Sequence, residues 1–172
     1  SASNKILQDM NRCYTIEQAE KIITKFRQEF PDITIATDII VGYPTETEQD
    51  HQINLNFINK FKPDVLNISK FSSHKSTEAG KLKILPNSII SKRTAELMQA
   101  HRDTTKENKQ KFLGKEVQVL VDKKLGEHLY ESRDENYNIV LVKTSKENLG
   151  KEISVKIKEI GVHHMISEHL AF

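Results

Sequence analysis

The chain has 172 residues, of which 37% are hydrophobic and 29% charged, and a formal net charge of +2. This is the composition of a soluble globular protein; it excludes a disordered chain, and no apolar run is long enough to span a bilayer. A single cysteine, Cys13, excludes an internal disulfide and any thiolate-bound cluster or cysteine-rich zinc site supplied by this chain alone, and points to a cytosolic setting.

Thr15 followed by Gln18 is a capping box, and behind it Ile16, Ala19, Ile22, Ile23, Phe26 and Phe30 recur at helical spacing, which predicts an amphipathic helix stopped by Pro31-Asp32. Ile33 to Val41 is a nearly continuous β-branched run, as expected of a strand covered on both faces. It breaks at Gly42-Tyr43-Pro44. A second capping box, Thr45 with Glu48, predicts a helix to about Phe61 with Ile53, Phe57 and Phe61 inward. Val65 to Phe71 reads as the next strand. Helix, strand, helix and strand with short connections make parallel βαβ units. Two such strands cannot cover themselves, so residues 1–71 read as part of an α/β sheet or barrel. Ser72 to Pro86 is polar and aperiodic and reads as a loop. A third helix is expected from Asn87 to about Lys111, with Ile90, Leu97, Met98, His101 and Phe112 as its buried stripe and Lys92, Arg93, Arg102, Lys106, Lys109 and Lys111 on its outer face.

The pattern changes at Gly114. Val117, Val119 and Val121 recur with period two, and further strands are predicted at Leu129 to Ser132, Asn138 to Val142, Ile153 to Ile160 and near Met165. Short strands at regular spacing over about sixty residues predict a small closed or nearly closed β-barrel of OB type, an architecture that binds nucleic acid.

The Gly42 turn is the leading site candidate. It lies at the carboxyl edge of a predicted strand, where α/β proteins bind ligands, and glycine lets backbone approach a flat ligand. Asp38 is the one acid in that strand; a buried carboxylate needs a partner, so it binds a ligand or pairs with a nearby cation. His163 and His164, with Glu168 and His169, do not make a metal site, because adjacent strand residues point to opposite faces. In the barrel segment, Phe112 to Phe172, nine Lys/Arg against ten Asp/Glu leave a net charge of −1. Attraction to phosphate therefore needs cations gathered on one face. Arg133, Lys143 and Lys146 are the candidates, with Tyr130 and Tyr137 for stacking.

Three blocks carry a resemblance. Ser1-Ala2-Ser3-Asn4-Lys5-Ile6-Leu7 with Met10-Asn11-Arg12-Cys13-Tyr14-Thr15, then Ala36-Thr37-Asp38-Ile39-Ile40-Val41-Gly42-Tyr43-Pro44 with Glu46-Thr47-Glu48-Gln49-Asp50, and the segment from Gly114 onward resemble the carboxyl-terminal half of the radical SAM methylthiotransferases. The resemblance implies an α/β fold in which residues 1–111 form the late part of a radical SAM (βα) barrel and residues 112–172 a TRAM domain, a small all-β, OB-like barrel that binds tRNA. It implies S-adenosyl-L-methionine and [4Fe–4S] clusters in the parent enzyme, with the cluster cysteines outside this chain, so that the chain alone holds no cluster and is inactive. It places Arg12, Asp38, Ile40 and Gly42 at the S-adenosylmethionine pocket and assigns no metal ligand to the chain. Asn67-Ile68-Ser69-Lys70-Phe71 and Lys92-Arg93 look most like the archaeal and eukaryotic branch, which methylthiolates N6-threonylcarbamoyladenosine beside the tRNA anticodon in the cytoplasm and calls for a sulfur donor and an electron donor. Branches acting on isopentenyladenosine or a ribosomal protein rank below it. Thr45 stands where the family has glycine and His51 where it has an aromatic. Between Phe71 and Leu82, Ser73, His74, Lys75, Ser76 and Glu78 replace the usual residues. Two readings stand beside this one: an RNA-binding adaptor without chemistry, and a small α/β nucleotide-binding domain with a structural barrel.

Overall fold

The computed structural model describes residues 1–73 and 77–169, with side chains up to residue 167. The elements run α1 (Asn4–Asp9), α2 (Ile16–Glu29), β1 (Ala36–Val41), α3 (Glu48–Phe61), β2 (Val65–Lys70), α4 (Asn87–Gln110), β3 (Glu116–Lys124), β4 (Leu129–Asp134), β5 (Ile139–Lys143), β6 (Glu152–Ile160) and β7 (Met165–His169). They form two compact units, Ser1–Thr104 and Thr105–Phe172. Among the described residues no helix is long and apolar enough to cross a membrane.

In the first unit β1 and β2 pair in parallel, Ala36 opposite Val65 through Val41 opposite Lys70. One face of this sheet is buried: Ile39 and Val41 pack with Ile58 of α3 and Ile90 and Leu97 of α4, and Leu66 and Ile68 border the same cluster. The other face is not. Ala36, Asp38, Val65, Asn67 and Ser69 are exposed and Ile40 is half-buried. The expectation of cover on both faces is thus met on one face only.

The helices show where local pattern and tertiary context part. The first capping box forms, with the Gln18 side-chain Oε1 accepting from Thr15 N–H at 2.9 Å. The predicted inward stripe of α2 does not hold together. Ile16 and Ile23 pack against Ala2, Phe57 and Phe61, whereas Ile22, Phe26 and Phe30 are exposed because no element of this unit lies over them. The second helix begins later than predicted. Residues 43–46 form a turn, with Glu46 N–H donating to the Tyr43 carbonyl at 2.8 Å. The capping box is therefore Thr47 with Asp50, not Thr45 with Glu48.

Asp50 is buried and accepts from Ser3 Oγ at 2.6 Å, Thr47 N–H at 2.9 Å and Thr47 Oγ1 at 2.6 Å. Burial pushes its carboxyl up, but these hydrogen bonds and the charge of Lys5 outweigh burial, and its pKa lies below the ordinary aspartate value. A depressed carboxyl contributes stability that is present above its unfolded pKa and lost as pH falls through the folded value. Thermal unfolding followed from neutral pH down past about pH 4 is expected to show this loss, and Asp50→Asn to have a flatter acid limb. Parallel limbs for the two proteins would refute it.

In the second unit five strands close into a barrel in the order β3-β4-β5-β7-β6, with β5 and β7 parallel and the other neighbours antiparallel. Val119, Val140, Val142, Val155, Ile157 and Met165 fill it, with Phe112 packed among them. Period-two alternation is plain in β5, where Val140 and Val142 face inward. In β4 it is inverted: Tyr130, Ser132 and Asp134 are buried, and Leu129, Glu131 and Arg133 alternate with them. His163 and His164 lie in the turn between β6 and β7 rather than in a strand. The side chains of Glu168 and His169, and all of His74, Lys75 and Ser76, lie outside the described residues.

Candidate functional site

The open face of the β1–β2 sheet leads into two clefts. One, of about 300 Å³, is lined by Leu7, Met10, Arg12, Tyr14, Asp38 and Ile40, among others. The other, of about 500 Å³, lies beyond the carboxyl ends of the strands and is lined by Asp9, Met10, Arg12, Ile40, Tyr43, Phe71 and the segment 77–79. Met10, Arg12 and Ile40 line both. Both volumes fall within the range of small-ligand sites, about 300–1,000 Å³. The walls combine apolar side chains with one guanidinium, Arg12, and the carboxylates of Asp38 in the first cleft and Asp9 and Glu78 in the second, and Tyr43 and Phe71 meet edge to face, ring centres 5.2 Å apart. Such a lining suits a flat, partly apolar ligand with polar ends.

Arg12, Asp38 and Ile40 are therefore brought together. Asp38 is not the buried carboxylate the strand pattern implied: it is exposed, because the face it sits on is uncovered. Gly42 is placed differently. It is buried with φ +82°, and a Cβ built on it would lie 2.7 Å from Ile90 Cγ1. Its missing side chain makes room for α4, on the side away from the clefts.

Behind the turn is a polar network that pattern reading did not reveal. Glu46 Oε2 accepts from Gly42 N–H at 2.8 Å and from Arg93 Nη1 at 3.0 Å. Arg93 also donates to the Glu46 carbonyl at 3.1 Å and to Glu48 at 3.2 Å, and the Glu46 and Arg93 side chains are 0% and 6% exposed. Arg93 belongs to this buried pair, not to the outer face of its helix. Lys109 too is buried, donating to the Val162 carbonyl at 2.9 Å. The only local signal for the network is an acid four residues after a glycine that ends a strand.

The two unusual residues of this region are accommodated. Thr45 Oγ1 donates to Asp9 Oδ2, and Lys5 donates to the Thr45 carbonyl at 2.9 Å, tying the turn to α1. His51 is fully buried and its Nε2 lies 2.7 Å from Glu96 Oε2 on α4.

The five barrel candidates fall into different places. Tyr130 is 1% exposed, with its hydroxyl donating to Glu147 Oε2 at 3.1 Å, so its ring is not free to stack; inversion of β4 turned it inward. Tyr137 is 73% exposed, at φ +66°, and the Arg133 guanidinium lies 4.5 Å from its ring centre. Arg133 is tied to Asp122 at 3.1 Å and Glu131 at 3.4 Å. Lys143 and Lys146 are exposed at the opposite end of the barrel. There Lys124 hydrogen-bonds Glu147 at 2.8 Å, which holds the lysine's pKa up and the glutamate's down. Among the described residues no three His, Cys, Asp or Glu converge as metal ligands, and Cys13 is exposed.

No family model matches the chain. Individual proteins do. It is 36% identical over 170 residues, 98% of its length, to a probable threonylcarbamoyladenosine tRNA methylthiotransferase of Archaeoglobus fulgidus, and 33% identical over 91% to one of Pyrococcus horikoshii. It is 35% identical over 91% of its length to a tRNA-2-methylthio-N(6)-dimethylallyladenosine synthase of Thermosipho melanesiensis. The chain spans only 37–39% of the length of these curated relatives. Among solved structures, the apo form of Mycoplasma genitalium RNase R aligns with 48% of this chain and 17% of that one at TM-score 0.33 and 13% identity, too low a likeness to carry an argument.

Proposed function

We propose that this chain, homologous over nearly its whole length to tRNA methylthiotransferases, is the carboxyl-terminal part of such an enzyme: residues 1–111 a section of a radical SAM barrel and residues 112–172 a TRAM-type barrel that binds tRNA. The observation that carries the first half is the uncovered face of a parallel sheet. Parallel strands are found with both faces covered, and here Ala36, Asp38, Val65, Asn67 and Ser69 of one face are exposed, as is the α2 stripe Ile22, Phe26 and Phe30. Further strands and helices of the same enzyme would complete both.

The cleft at Ile40 fits a nucleoside-type cofactor such as S-adenosyl-L-methionine. Ile40 would floor the base, Arg12 would meet a carboxylate or phosphate, and Asp38 would accept from hydroxyl or ammonium groups. Gly42 would act from behind by fixing the strand end. Bound there, S-adenosylmethionine would supply methyl and radical chemistry; the residues of this chain bind and orient it. They do not fit a [4Fe–4S] cluster, which takes several cysteine thiolates, so an enzyme of this kind draws its cluster ligands from other segments and the chain alone is inactive. The substrate favoured is N6-threonylcarbamoyladenosine in tRNA, on the strength of Asn67-Ile68-Ser69-Lys70-Phe71 and of the archaeal relatives. A cytoplasmic site and sulfur and electron donors as partners belong to the same reading.

A chimera tests it. This chain is put in place of the matching segment of the Archaeoglobus fulgidus relative, and tRNA nucleosides are analysed by mass spectrometry. The methylthio derivative of threonylcarbamoyladenosine is the expected product. A folded, cluster-containing chimera that binds tRNA yet forms no methylthio product would overturn the assignment.

A further inference from the structure

The five cations and aromatics expected to form one RNA face are split between the two ends of the barrel, and the ends differ in charge. At one end lies the β4–β5 turn. Asp134 accepts from the N–H groups of Asn136 at 3.0 Å and Asn138 at 2.8 Å, and Glu135 sits beside it. The one cation of residues 131–138, Arg133, is committed to Asp122 and Glu131. Residues 131–138 hold Glu131, Asp134 and Glu135 against Arg133, a balance of 1 − 3 = −2. A phosphate approaching Tyr137 meets carboxylates.

The other end is built from the β3–β4 turn and the long β5–β6 loop, joined by the Lys124–Glu147 pair. Residues 123–128 and 143–151 carry Lys123, Lys124, Lys143, Lys146 and Lys151 against Glu127 and Glu147, a balance of 5 − 2 = +3. Glu147 is occupied by Lys124 and Tyr130, while Lys123, Lys143 and Lys146 are exposed and make no ion pair among the described residues. Glu152, and Glu168 in register beside Lys143, stand on the strands at the rim, so the attraction is local to the two loops. Leu125 and Leu149 are exposed on the same loops and offer apolar surface to sugars or bases.

We infer that this end of the barrel, centred on Lys123, Lys143 and Lys146, is the surface that meets the phosphate backbone of RNA, and that Arg133 and Tyr137 are not part of it. The inference rests on the tRNA reading of the barrel and names its contact surface. Unpaired lysines on a phosphate path release counterions on binding, so affinity and its salt dependence fall together when they are removed.

The test is binding of a tRNA anticodon stem-loop RNA to the 172-residue chain at several salt concentrations. Lys143→Glu/Lys146→Glu is expected to bind about tenfold more weakly or worse and to lower the slope of log affinity against log salt by about two. Arg133→Ala and Tyr137→Ala are expected to stay within about twofold of the parent chain. Lys143→Gln/Lys146→Gln, with unchanged thermal unfolding, guards against a folding artefact and is expected to show the same slope change. Binding that depends on Arg133 or Tyr137 and ignores the lysines would overturn the inference and leave the tRNA reading standing. No salt-dependent binding by the parent chain would overturn the tRNA reading, and the inference with it.

Discussion

Arg93→Met is expected to cost about 3–5 kcal/mol, the range for removing one partner of a buried ion pair. Glu46 has a side chain with no exposed surface, and among the described residues Arg93 is the one cation that hydrogen-bonds it, at 3.0 Å. Without it the carboxylate keeps only the Gly42 N–H at 2.8 Å and a long contact from Asn54 Nδ2 at 3.4 Å. The lost Arg93 contacts to the Glu46 carbonyl and to Glu48 matter less, since Glu48 is largely exposed and can turn to water. The charge, not the bond count, should dominate. Glu46→Gln/Arg93→Met therefore serves as the second variant. It keeps an oxygen for Gly42 N–H and removes both charges, so it should be more stable than Arg93→Met alone. Chemical denaturation of the three proteins decides the matter. A loss below about 1 kcal/mol in Arg93→Met, or a double variant no better than the single, would mean that the pair does not hold the turn.

How far this site could be read in advance depended on the range of the interactions that make it. The βαβ order and the β-strands of the barrel follow from local periodicity, and the larger cleft lies at the carboxyl ends of the strands, where α/β architecture puts ligands. Arg93 could not be read that way. Charged residues on a long helix default to solvent, and its partner is 47 residues away in sequence. Tyr130 failed for a related reason. Alternation fixes that neighbours face opposite ways but not which set faces in, and β4 buries Tyr130, Ser132 and Asp134, whose polar atoms are met by Glu147, the Val140 carbonyl and the amides of the β4–β5 turn. In α2 the stripe was legible and its cover was not. Ile22, Phe26 and Phe30 satisfy the pattern of a buried face, and whether a face is buried depends on what packs over it.

Gly42 is a residue that sequence reading chose for one reason and the fold uses for another, and its replacement has the second large effect. Gly42→Ala is expected to destabilise the chain by about 2–5 kcal/mol. The left-handed backbone at φ +82° costs a residue with a Cβ about 1–2 kcal/mol. The methyl would also lie 2.7 Å from Ile90 Cγ1 and 2.9 Å from Ile90 Cδ1, in a core that already holds Ile39, Val41, Ile58 and Leu97. Overpacking of this kind adds about 1–3 kcal/mol. The two costs separate experimentally. Gly42→Ala/Ile90→Ala removes most of the clash and leaves the backbone cost, so the two substitutions should be strongly non-additive, the double variant losing less than the sum of the singles. If the glycine served only to let a ligand approach, Gly42→Ala would cost the free chain no more than its left-handed backbone, about 1–2 kcal/mol, and truncating Ile90 would add its own cavity penalty of about 2–5 kcal/mol unchanged. Additive losses would therefore place the constraint at the cleft. Non-additive losses would place it at α4, where the same helix anchors Glu46 through Arg93 and so fixes the strand end that carries Ile40.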